Sequence, residues 1–234
     1  MRRRGWLGAR SVAVRGAVAA GVVLIRAGYL RWGASDDELK VALPGDELVP
    51  VADLTATRAV TVRAGADGVW PWIAQLGQGR GGFYSYDFLE NVLGCDIHSA
   101  ERVVVEWQSI EVGDPVNLHP EVGLIVAVVE PGRALVLRGG VPIGPTPAPY
   151  DFTWAFVLRD QADGGTRLMV RERYGYSRWW ACLLVEPAEL ISFAVSQRML
   201  RGIKQRAERA VRCAPTAALA ASTPTTPRPT ADRP

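Results

Sequence analysis

The middle of the chain is written in two periods. Thr57–Arg63 alternates, with Val60 and Val62 on one face and Thr61 and Arg63 on the other, and predicts a first strand. After a turn at 64–68, Val69, Trp72, Ile73 and Leu76 recur at helical spacing, with Pro71 tolerated in a first turn. The glycine-rich stretch 77–82 leads to a second short helix, Ser85–Leu93, with Phe88, Leu89, Val92 and Leu93 as its apolar face. Alternation then returns. Arg102–Trp107, Asn117–His119, Gly123–Val129 and Ala134–Arg138 read as strands separated by Gly, Asp and Pro turns.

Gly139–Pro149 is a loop rich in proline and glycine. Phe152–Leu158 places Phe152, Trp154, Phe156 and Leu158 on one face. Thr166–Tyr176 sets Leu168, Val170, Glu172, Tyr174 and Tyr176 against Arg167, Met169, Arg171 and Arg173, so these two strands form a hairpin. Trp179–Val185 is a short apolar helix, and Pro187 opens a long one reaching about Arg212. Its apolar stripe is Ile191, Val195, Met199, Ile203 and Ala207. The order predicts an α+β domain in which a curled antiparallel sheet and a long C-terminal helix hide their apolar faces against each other.

This places the domain at 56–213, with 35–55 as a linker. The chain of 234 residues is long enough for one core plus flanking segments. Residues 214–234 hold five prolines and no aromatic residue, a composition that predicts a disordered tail. Residues 1–34 hold seven arginines and no acid, around the apolar run Gly16–Ile25. That run is too short to span a bilayer; the longer Val12–Leu30 spans only if Arg15 and Arg26 reach the interfaces. A signal peptide, a basic helix lying on an anionic membrane and a basic arm packed on the domain are the other readings. Localisation is accordingly cytoplasmic or membrane-associated through this segment.

The net charge of +3 lies at the ends, since residues 56–213 carry 17 basic and 17 acidic side chains. A neutral domain argues against nucleic-acid binding, which needs surplus cation. Three scattered cysteines and two histidines argue against a disulfide framework and a metal site, and nothing calls for a cofactor. Gly77–Gly82 matches G-x-G-x-x-G, but it follows a helix where a dinucleotide site would follow a strand. His98, beside Asp96 and Glu101, is a candidate base without an adjacent nucleophile. Glu172 is the most informative residue. Alternation turns its carboxylate inward, as a cavity acid or as half of a buried pair with an arginine such as Arg138, unless a local bulge turns it outward.

This element order, with GQGRGGFYSYDFLENVLGCDIHSAERVVVEWQ and the ending RWWACLLVEPAELISF…MLRGIKQRAE, resembles the SRPBCC superfamily over roughly residues 56–210. It is most similar to the START-like and polyketide cyclase/dehydrase-like bacterial members. The resemblance implies a helix-grip fold: a curved antiparallel sheet, two short early helices and a long final helix enclosing an apolar cavity. It further implies an apolar small-molecule ligand (a lipid, polyketide-like or aromatic compound), carried or sensed. The alternative is a cyclase, dehydrase or isomerase in which Glu172 or His98 moves protons. The implied lining set is Tyr84, Tyr86, Trp107, Trp154, Phe156, Tyr174, Val195 and Met199.

Overall fold

The computed structural model describes residues 20–21, 23–92, 94–142 and 145–213. The tail 214–234 and most of the N-terminal basic segment lie outside the described residues. In chain order the elements are α1 (Asp36–Lys40), β1 (Leu54–Val62), α2 (Ala66–Ala74), α3 (Asp87–Val92), β2 (Pro115–His119), β3 (Val122–Glu130), β4 (Ala134–Gly139), β5 (Tyr150–Asp160), β6 (Thr166–Tyr176) and α4 (Cys182–Cys213). A further helical stretch covers 23–30.

The strands form one sheet in the order β1-β6-β5-β4-β3-β2, and every neighbouring pair is antiparallel. Sequence-adjacent strands are neighbours except that β1 closes beside β6. The period-two pattern then sorts the side chains. Leu135, Leu137, Phe156, Leu158, Leu168 and Val170 face α2 and the second half of α4, where Met199, Leu200, Ile203 and Ala207 complete the core. This is a helix-grip architecture.

The opposite face is also covered. Ala59, Val136, Ala155, Val157 and Met169 pack under Leu43, with Val41 and Leu48 at the edge. Residues 35–55 therefore do more than link. Ser35 and Glu38 form a reciprocal capping box that starts α1. Arg171, almost fully buried, then donates to the carbonyls of Val41 (2.9 Å) and Glu38 (2.7 Å) and to Asp46 Oδ2 (2.6 Å). The outward arginines of β6 thus hold this strap on the sheet through charge-assisted hydrogen bonds.

Three expectations are corrected. Arg102–Trp107 is not a strand; it ends in a short turn at Val105–Trp107. The buried Gln75 side chain takes its backbone polar groups instead, accepting from Val104 N–H (3.1 Å) and donating to Arg102 O (3.2 Å). The long helix starts at Cys182, so Pro187 lies inside it; Val185 is buried there, and packing extends the helix through the proline. Finally Phe88, Leu89 and Val92 are exposed. Polar ties hold α3 with that face outward: Asp87 accepts from Ser99, and Asn91 exchanges two hydrogen bonds with the Ile97 backbone.

Candidate functional site

Between β5, β6 and the first half of α4 the sheet and helix do not close on each other. The gap is a cavity of ≈ 430 Å³. Its sheet wall is aromatic, with Tyr150, Phe152 and Trp154 from β5 and Tyr174 from β6, and Phe83 joins them from the loop after α2. Phe152 stacks at 4.6 Å from Tyr174, and Trp154 lies 6.0 Å from Phe83. The α4 wall comprises Leu184, Val185, Ala188, Ser192 and Val195, and the exposed Val141 and Leu184 stand at the rim.

The polar end of this space is built around Glu172, which is 1% exposed. Strand register puts Ala56 opposite Glu172 and Arg58 opposite Val170, so Arg58 and Glu172 are diagonal neighbours on the inner face. Arg58 Nη1 donates to Glu172 Oε1 at 2.9 Å. Ser192 Oγ lies 2.8 Å from Oε2 and Ser196 Oγ 3.0 Å from Oε1, while Tyr174 OH donates to Oε2 at 3.3 Å. Four donors thus saturate one carboxylate. Arg58 also donates to Glu189 Oε1 and, at 3.2 Å, to the carbonyl of Tyr29. All three charged groups are buried, so one cation serves two carboxylates.

That imbalance falls on Glu189. Burial, reinforced by the charge of Glu172 and only partly offset by Arg58, pushes its pKa up to about 8. Its Oε2 has no hydrogen-bond partner. Burial and the Glu172 charge likewise hold the Tyr174 phenol well above its ordinary range, keeping it a neutral donor. A consequence for stability follows. Folded Glu189 keeps a proton that the unfolded chain releases near 4.5. Stability therefore falls as pH rises from about 5 to about 8, by at most about 1.4 kcal/mol per unit, and then levels off. Glu189→Gln is expected to flatten this slope and to be more stable than the wild type at about pH 9, as read from urea midpoints across pH. An unchanged slope would contradict the assignment.

Of the residues singled out in the sequence, Glu172, Trp154, Tyr174 and Val195 meet at this cavity. The others do not line it. His98 is a surface group, its side chain 81% exposed and 3.3 Å from Asp96 Oδ1. Tyr84 is buried elsewhere, accepting from Gln75 Nε2 (2.9 Å) and donating to Trp72 O (3.1 Å). Tyr86 is exposed, and Trp107 sits half-buried in the turn at Val105–Trp107. Phe156 and Met199 are wholly buried in the filled part of the core. On α4, Ile191 is exposed; the helix turns Glu189 and Ser196 inward because Arg58 and Glu172 offer them partners.

Arg58, Glu189, Ser192 and Ser196 were not singled out by the sequence pattern. Arg58 shares parity with Val60 and Val62, and 189, 192 and 196 repeat at helical spacing, so both signals were present.

No protein-family model matches the sequence, and no curated protein matches it. Solved structures similar to it include the Zhui aromatase/cyclase from Streptomyces sp. R1128, at 16% identity over 69% of this chain and 98% of that chain, with a TM-score of 0.43. A protein from Nitrosospira multiformis is 11% identical over 68% of this chain and 99% of that one, with a TM-score of 0.43. A Polyketide_cyc-like protein from Corynebacterium glutamicum is 16% identical over 69% and 95%, with a TM-score of 0.40. The helix-grip architecture stands on the chain's own elements, a six-stranded antiparallel sheet and a long C-terminal helix. At these identities and scores the likeness says nothing of what the chain binds, and the chain's own side chains carry the functional argument.

Proposed function

We propose that this protein binds an apolar small molecule in the cavity between its sheet and α4, as a carrier or sensor. The observation that carries the reading is the cavity itself. A space of ≈ 430 Å³ walled by aromatic and aliphatic side chains, with a few polar groups at one end, has the size and chemistry of a ligand site. Binding is favoured over proton transfer because Glu172 has every lone pair occupied and His98 stands at the surface. Titration of the full chain with Nile red, a neutral dye, tests the reading. Saturable binding of one dye per chain is expected; its absence would overturn the proposal.

Contact with a membrane through the N-terminal segment is part of the same reading. The 23–30 stretch docks on α4 through Arg26 and Glu186 (2.6 Å) and the Tyr29–Phe193 ring pair, leaving Val23, Leu24 and Ile25 exposed. Trp179, Leu183 and Leu190 of the neighbouring α4 region are exposed as well. Leu24→Glu with Ile25→Glu is expected to move full-length protein from the membrane fraction to the soluble fraction. Equal partition of both chains would count against the contact.

A further inference from the structure

The charge on the cavity wall selects among apolar ligands. Two carboxylates, Glu90 and Glu172, line the space, and no Lys, Arg or His does so among the described residues. Arg58, behind Glu172, is fully buried, and its Nε, Nη1 and Nη2 each donate to a partner within the protein, Tyr29 O, Glu172 and Glu189. The hydroxyls of Ser192, Ser196 and Tyr174 already donate to Glu172. An anionic head group entering here would meet no cation and no free hydroxyl among Ser192, Ser196 and Tyr174, and would lose its hydration beside two carboxylates.

Glu90 is the carboxylate left without a counter-ion. Its Oε1 accepts from Ser85 Oγ, while its Oε2 is buried with no partner. Burial raises the Glu90 pKa, the Ser85 hydrogen bond partly offsets that, and the like charge of the neighbouring Asp87 adds to the rise. A buried acceptor without a donor costs free energy that a ligand N–H or O–H can recover. The wall also holds one neutral donor without a partner, Trp154 Nε1, which can serve a hydroxyl or a carboxylate oxygen alike, so the selection between them falls to Glu90 and Glu172.

We infer that the cavity takes amphiphiles whose head group is an uncharged or cationic hydrogen-bond donor, a hydroxyl or an amine, and rejects carboxylates of the same chain length. This inference rests on the binding reading above, and one experiment separates the two. Nile red bound to the full chain at about neutral pH is competed with n-decanol, n-decylamine and n-decanoate. Decanol and decylamine are expected to displace the dye, and decanoate to be at least about tenfold weaker. Glu90→Gln, which keeps an acceptor and removes the charge, is expected to bring decanoate within about threefold of decanol. Decanoate competing as well as decanol on the wild type overturns the inference, as does a bound dye that neither decanol nor decylamine displaces, or a decanoate gap that Glu90→Gln leaves unchanged. A dye that never binds saturably overturns the cavity reading itself.

Discussion

Arg58→Met is expected to lower the unfolding free energy by about 3–5 kcal/mol, the cost of stranding buried charge. The substitution leaves Glu172 and Glu189 without a cation in a region where neither is more than 1% exposed. It also leaves the Tyr29 carbonyl without its donor. Because Glu189 can take up a proton, the loss should be larger at about pH 8 than at about pH 5. Adding Glu172→Gln and Glu189→Gln to the same chain should restore most of it, since the charges are then removed together. Urea unfolding of the single and triple variants checks this. A single-variant loss under about 1 kcal/mol would mean that the cluster is wetter than its burial indicates.

Val195→Trp is expected to weaken Nile red binding by at least about tenfold. Val195 lines the cavity from α4 and is half-buried, so an indole there projects into open space more than into packed neighbours. Overpacking should cost at most about 1–3 kcal/mol, so the fold survives. Leu190→Trp on the exposed side of the same helix is the control, with dye binding unchanged. Equal loss in both variants would place the dye on the helix surface and not in the cavity.

The fold was legible where local pattern and tertiary packing agree. Thr166–Tyr176 alternates cleanly because β6 is a central strand, with the cavity on one side and the strap on the other, and its sequence reading matches the strand residue for residue. Pattern misled where a side chain outside the segment satisfies its backbone. Val103–Val105 reads as a strand by composition, but Gln75 takes its hydrogen bonds. The apolar stripe on α4 failed for a related reason. Ranking helix positions by hydrophobicity selects Ile191 and passes over Glu189 and Ser196, although the latter two are buried. A buried polar cluster contradicts hydrophobic ranking at each of its members, and it becomes visible only when strand register sets Arg58 diagonal to Glu172.

The inward direction of Glu172 was legible, but its partner was not. Arg138 matched in charge, yet it is exposed on β4, two strands from β6. Arg58 lies on β1, which adjoins β6 only because the chain's first strand returns to pair with its last. That pairing joins residues 114 apart in sequence, and nothing local encodes it. The strap at 35–55 was hidden in the same way. Its capping box and buried Leu43 were written in the chain, but the arginines that hold it belong to β6.

Native mass spectrometry of the full-length protein, taken directly from the cells that make it, tests the account most directly. The wild type should carry a mass increment of one small molecule per chain, and Val195→Trp should fly bare. A wild type as bare as the variant, or an identical increment on both, would contradict a guest held between the sheet and α4.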